Sequence, residues 1–144
     1  ELYNDLIKKI CNKFSSIKFI LVGSQSEKDK YYKEITKKID ENHFIDLFGK
    51  SITLTSAYMK KSNLFIGNDS GLMHLSFASG LKTISLFGPT NDKLYGHRKN
   101  KCFVIRTKET FKDFNKMDIN PKKSYMNSIE SNKVLNLIID NKLL

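Results

Sequence analysis

Short apolar runs rich in β-branched residues alternate along this chain with longer stretches of helical period, and no other feature restricts the fold as much. The run Ile17-Lys18-Phe19-Ile20-Leu21-Val22 stops at Gly23-Ser24, as a buried strand does at the turn into a helix. Residues 43–50 form a second strand with its turn, and residues 63–67, 82–88 and 102–105 form three more. Between them the spacing predicts helices. Leu2, Leu6, Ile10 and Phe14 recur four apart, with Ile7 beside them, over residues 2–14. Residues 27–40 put Tyr31, Ile35 and Ile39 on one face, and residues 53–62 form a helix with a threonine available to cap it. Another helix covers 71–79, and a last one opens at Ser128 or Ser131 and buries Val134, Leu135, Ile138 and Ile139. Residues 88–100 are a turn-rich loop, and 106–127 show no clear period. This alternation predicts βαβ units, hence an α/β fold with a Rossmann-like parallel sheet flanked by helices.

At 144 residues the chain suits one domain spanning 1–144. Its 40% hydrophobic and 28% charged residues exclude a disordered chain. No apolar run approaches the ~18 to 20 residues of a membrane span, and "ELYNDLIKKICNKF" lacks a signal peptide's apolar core. The chain starts without Met, directly in a helical pattern, so a fragment of a longer protein is expected. Cys11 and Cys102 lie in helix-like and strand-like apolar contexts, without CxxC or histidine spacing. They are expected to be buried reduced thiols, and no metal site is expected. The net charge of +10 comes from 23 lysines and only 2 arginines. Scattered lysines without arginine forks do not make a nucleic-acid reader, so no nucleic-acid partner is expected. Attraction to an anionic membrane surface stays open, at up to ~1 kcal/mol per well-placed lysine.

In open α/β sheets, ligands bind at the carboxyl ends of strands. Two loops stand there: Gly23-Ser24-Gln25-Ser26-Glu27 and Asn68-Asp69-Ser70-Gly71. Gly71 clears the helix entry, where unpaired N–H groups and the helix dipole favour a phosphate. Ser70 can cap that helix or bond the same phosphate, His74 stands one turn on along the same face, and Asp69 can accept from sugar hydroxyls. The plainer alternative is ordinary capping plus a core histidine, with Glu27 only starting its helix. A Ser-His-Asp triad is geometrically poor, because Asp69, Ser70 and His74 crowd one helical turn.

The wider stretch "FIGNDSGLMHLSFASGLKTISLFGPTND", residues 65–92, resembles the signature of the glycosyltransferase family 9 heptosyltransferases, which build the inner core of bacterial lipopolysaccharide. That signature runs D-(S/T)-G-x-x-H-x-x-x-A-x-G, then an apolar strand ending in G-P-T-(D/N). Here it is carried by Asp69-Ser70-Gly71, His74, Ala78, Gly80 and Gly88-Pro89-Thr90-Asn91. "ILVGSQSE" is similar to the family's strand-Gly-x-x-x-Glu loop, and "YMNSIESNKVLNLI" to its final helix. The resemblance implies the C-terminal, donor-binding half of a two-domain GT-B enzyme. It implies that Glu27 holds the ribose or nucleoside of an ADP-sugar and that Asp69 binds heptose hydroxyls. It places Ser70, Gly71 and His74 at the diphosphate and Thr90 at the rim of the cleft.

The same resemblance implies an inverting transfer of heptose from ADP-heptose, with no cofactor beyond the donor and no metal. The acceptor would be a lipid-linked saccharide held by an absent N-terminal domain, which would also carry the general base, so no catalytic residue is expected in this chain. The expected location is cytoplasmic, with peripheral association at the inner membrane's cytoplasmic face as a further option. The isolated chain is expected to bind donor weakly and not to turn over. The chain departs from the pattern in lacking a cysteine cluster before the last helix, and in carrying Phe77 where alanine is common; that ring either narrows the cleft or fills the core. Another GT-B nucleotide-sugar enzyme, or a non-catalytic nucleotide-binding Rossmann module, fits the same residues.

Overall fold

The computed structural model describes residues 1–97, 101–120 and 123–144. The last three residues of the predicted 88–100 loop, and residues 121–122 of the segment without period, lie outside the described residues. The chain divides into two compact units, Glu1–Lys61 and Ser62–Leu144.

In the first unit, α1 (Leu2–Lys13) buries Leu6, Ile7 and Ile10, the stripe its four-residue period predicts. Asn4, also on the buried side, donates through Nδ2 to the carbonyls of Ile35 (2.8 Å) and Lys37 (2.9 Å). This ties α1 to the far end of α2 (Gln25–Thr36). β1 (Phe19–Leu21) pairs in parallel with β2 (Phe44–Asp46), Phe19 opposite Phe44. The helix predicted over 27–40 thus begins two residues earlier and ends at Thr36, and Lys38 takes a left-handed φ of +59°. No residue of α2 is fully buried: Tyr31 is exposed, and it is Tyr32 that packs edge-on against Phe48. In α3 (Ile52–Lys60) the capping side chain is Ser51, which accepts from Leu54 N, rather than the expected threonine.

The second unit is built on three parallel strands in the order β3 (Leu64–Asn68), β4 (Lys82–Phe87), β5 (Cys102–Arg106). Leu64 stands opposite Lys82, and Thr83 opposite Cys102. β4 is central and is buried from Thr83 through Phe87, where the small hydroxyl residues Thr83 and Ser85 stand among Ile84, Leu86 and Phe87. α4 (Gly71–Ala78) lies against β3 and β4, with Met73 and Ser76 fully buried. Ser76 Oγ donates to Met73 O (2.8 Å) and pairs with Thr83 Oγ1 (2.9 Å), so a satisfied hydroxyl pair joins α4 to the start of β4.

The turn-rich loop contains a short helix, α5 (Asp92–Tyr95), and the segment without period contains another, α6 (Phe111–Phe114). The final helix, α7 (Ser131–Asp140), buries Val134 and Ile138, whereas Ile139 is exposed and Leu135 only half-buried. Neither expected serine caps it. Glu130 holds the cap position, Ser131 is the first helical residue, and Ser128 Oγ accepts from Lys108 N (3.0 Å). Both cysteines are half-buried rather than buried, and desolvation raises each thiol's pKa. Among the described residues, no helix is long and apolar enough to cross a membrane.

Candidate functional site

The loop between β1 and α2 is organised around Glu27. Its Oε2 accepts from Ser24 N (2.7 Å) and Ser24 Oγ (2.8 Å), while Ser24 Oγ accepts from Glu27 N (3.2 Å). This is a reciprocal capping box, the S-x-x-E pattern of a helix start. Glu27 therefore has a structural task, and its exposed carboxylate retains a second oxygen outside that box. Gly23 is required here, because a Cβ would stand 2.5 Å from the Phe48 ring and 3.1 Å from Glu27 Oε2.

In the second unit, the Asp69-Ser70-Gly71 turn joins the end of β3 to α4. Asp69 N donates to Leu86 O (3.1 Å), which extends the sheet's bonding one residue past β3 and fixes where the Asp69 side chain starts. Ser70 occupies the cap position of α4 in extended conformation (φ −164°, ψ 169°), yet its hydroxyl makes no capping bond. The first backbone bond into the helix is His74 N to Ser70 O, so Gly71, Leu72 and Met73 have no intrahelical acceptor for their N–H groups. A Cβ at Gly71 would meet nothing within 4 Å, so the helix entry opens onto free space.

His74 is 45% exposed and its Nε2 faces Asp69 Oδ1 at 3.9 Å, with the Asp69 side chain only 14% exposed. The Nδ1 of His74 lies 2.9 Å from Nε2 of His97. The structure thus brings Asp69, Ser70, Gly71 and His74 together at the start of α4. Phe77 neither fills the core nor stands alone: it is half-buried, with its ring stacked on His97.

Thr90 is exposed in the Gly88-Pro89-Thr90 turn that follows β4. Arg106, at the end of the neighbouring β5, holds this turn. Its guanidinium donates to Gly88 O (2.6 Å), to Thr90 O, to Glu109 O (3.2 Å) and to Asp92 Oδ1 (2.6 Å). Sequence reasoning missed both Arg106 and His97. Each follows a stretch that suggests no site, although Arg106 is one of only two arginines in a chain full of lysine. Among the described residues, no group of three or more His, Cys, Asp or Glu side chains is placed to hold a metal ion.

The sequence model of glycosyltransferase family 9 (heptosyltransferase) matches residues 1–124. The chain belongs to this family. The match stops short of α7, the helix whose sequence resembles the family's last one. The family's fold is seen directly in solved structures. E. coli heptosyltransferase WaaC with ADP superposes at a TM-score of 0.76 and 19% identity, covering 96% of this chain and 38% of that one. The glycosyl transferase family 9 structure from Veillonella parvula gives 0.77 at 21% identity, covering 97% and 41%. E. coli ADP-heptose lps heptosyltransferase II gives 0.69 at 18% identity, covering 98% and 40%. The chain therefore has the parallel α/β fold of part of a GT-B glycosyltransferase, and spans about two fifths of the length of the structures it matches. No curated protein matches it by sequence. In this family member, the D-(S/T)-G-x-x-H signature occupies the β3–α4 turn and the first helical turn, and the G-P-T sequence is the turn held by Arg106.

Proposed function

We propose that this chain is the donor-binding part of an inverting glycosyltransferase that transfers heptose from ADP-heptose to a lipopolysaccharide inner-core acceptor. The observation that carries the reading is the entry of α4. Family signature residues surround it, a serine at the cap position leaves the first N–H groups uncapped, and Gly71 leaves the approach clear. Backbone N–H groups at the positive end of a helix dipole suit a diphosphate. The ADP of the WaaC structure belongs to the same ligand class.

In this reading Ser70 and Gly71 meet the diphosphate with His74 beside it, Asp69 accepts from sugar hydroxyls, and Thr90 lies at the rim. Glu27 bonds the ribose or nucleoside through the oxygen that its capping box leaves unused. An acceptor hydroxyl attacks the anomeric carbon, the bond from that carbon to the diphosphate oxygen breaks, and ADP departs as an anion. Preorganised N–H donors at α4 stabilise the charge that develops on it, without a metal. The acceptor, a lipid-linked saccharide, and the base that takes its proton belong to another domain. Residues 1–144 alone bind donor weakly and do not turn over. The reaction is cytoplasmic, at the inner face of the membrane that holds the acceptor.

The test is calorimetric titration of the full-length protein with ADP-heptose, UDP-sugars and GDP-sugars, for wild type, Asp69→Ala and Glu27→Gln. Glutamine can still complete the capping box, so its effect on affinity is separable from any effect on α2. ADP-heptose is expected to bind best, and both substitutions to weaken it. Equal affinity for all three donor classes, or no effect of Asp69→Ala, would refute the donor assignment.

A further inference from the structure

His97 has no part in the donor site as described, yet three contacts fix it against that site. Its ring lies parallel to that of Phe77, with 3.8 Å between centroids and 5° between planes. It stands edge-on to His74, at 5.1 Å and 85°. Its Nε2 is 2.9 Å from His74 Nδ1, so one of these nitrogens carries a proton and the other accepts it. The far side of His74 indicates which. There Nε2 faces Asp69 Oδ1 at 3.9 Å, and a carboxylate attracts an N–H and repels a lone pair. A neutral His74 with its proton on Nε2 has Nδ1 as acceptor, and the donor to it is then Nε2–H of His97. Phe77 and His74 are three residues apart on α4, so the two rings share one helical face and His97 closes over both.

We propose that His97, seated on Phe77, is a positioning residue that fixes His74 as the Nε2–H tautomer. This rests on the reading that the α4 entry receives the donor's diphosphate. It gives His74 a definite part in that reading: beside the diphosphate site its Nε2 carries an N–H held in place from behind, turned to Asp69, instead of belonging to an imidazole free to present a lone pair there. It also gives Phe77 a role that an alanine at this position could not supply. The structural unit is the chain of rings from Phe77 through His97 to His74, ending at Asp69.

Two readouts on the full-length protein test this, with wild type, His97→Ala, His97→Gln and Phe77→Ala. The first is the ring ¹⁵N spectrum of neutral His74 without ligand, which distinguishes a protonated ring nitrogen from an unprotonated one. The second is ADP affinity. In wild type, Nε2 of His74 is expected to carry the proton and Nδ1 to be unprotonated. His97→Ala is expected to give mixed tautomers and about 5-fold weaker ADP binding, the loss of one ordinary hydrogen bond. His97→Gln, whose amide N–H can donate to the same Nδ1, is expected to restore both readouts, which a merely structural role for the ring would not produce. Phe77→Ala is expected to mix the tautomers as His97→Ala does. A proton on Nδ1 in wild type, an unchanged tautomer in His97→Ala, or an unchanged ADP affinity in that variant would overturn the proposal. If wild type binds no ADP, the donor reading fails separately, and the spectra alone support or overturn the positioning role.

Discussion

Arg106 Nε donates to Asp92 Oδ1 at 2.6 Å, and the same guanidinium reaches the carbonyls of Gly88 and Thr90. Both side chains are largely buried, 15% exposed for Arg106 and 12% for Asp92. One arginine therefore neutralises a buried carboxylate and fixes the turn after β4, using the planar fork that lysine lacks. Arg106→Ala would leave Asp92 buried without this charge, and a loss of about 3 kcal/mol is expected. The doubly apolar variant Arg106→Leu with Asp92→Leu should recover part of that stability in a urea titration. Arg106→Lys should fall between, because an ammonium cannot span the turn's two carbonyls and the carboxylate together.

Gly71 separates folding from binding. The space beyond it is empty of protein, and its φ is not in the left-handed region, so an added methyl group meets no clash and no backbone strain. Alanine is also the better helix former, by up to ~1 kcal/mol within a helix. Gly71→Ala is therefore expected to leave the melting temperature unchanged or slightly raised while it weakens ADP binding in the full-length protein. A variant that loses stability and binding together would show that the glycine serves the fold instead.

The parallel arrangement was legible because short strand-like runs such as Lys82 to Phe87 alternate with stretches of helical period, as βαβ units require. The helix boundaries were less legible, for local reasons. Ser24 and Glu27 carry the S-x-x-E cap signature, but the same residues also fit a ligand loop after β1, and that reading places the start of α2 at Glu27. Four-residue helices such as α5 and α6 are too short to show a period, although Thr110 and Asp113 form a second capping box at the start of α6. The turn around Asp69, Ser70, Gly71 and His74 was readable because all four residues are local in sequence. His97 and Arg106 were not, because each meets its partners only through the crossover connections that bring separate loops to one end of the sheet.

Ser85 stands at the middle of β4, opposite Gly67 on one side and Val104 on the other. It is fully buried, and among the described residues its Oγ is a buried side-chain atom without a hydrogen-bond partner. Burying an unpaired hydroxyl costs stability, on the order of 1 kcal/mol or more. Ser85→Ala removes the group with almost no change of shape, so a higher urea midpoint with an unchanged slope is expected. A lower midpoint would mean that the hydroxyl has a partner in solution, such as a bound water.

Asp46 and Lys28 form an ion pair between β2 and α2, and each shifts the other's titration. Burial by itself would raise the Asp46 pKa, but hydrogen bonds from Lys28 and from Phe48 N, with the lysine's charge, bring it below the usual carboxylate range. The hydrogen bond to Asp46 in turn raises the pKa of Lys28. For Asp46, a lowered folded-state pKa means stability that is present above the unfolded value, about 3.9, and is lost as pH falls through the folded one. For Lys28, a raised pKa means stability that is present below about 10.4 and is lost as pH rises through the folded value. The pair's contribution should therefore be level from about pH 5 to 9 and fall away on both sides. Asp46→Asn keeps an oxygen for Phe48 N but removes the charge. Its melting temperature should lie below wild type near neutrality, and the gap should close in acid and shrink with added salt, since both side chains are about one-third exposed. A gap that stays constant from pH 7 down to pH 2 would assign the effect to packing and not to the charge.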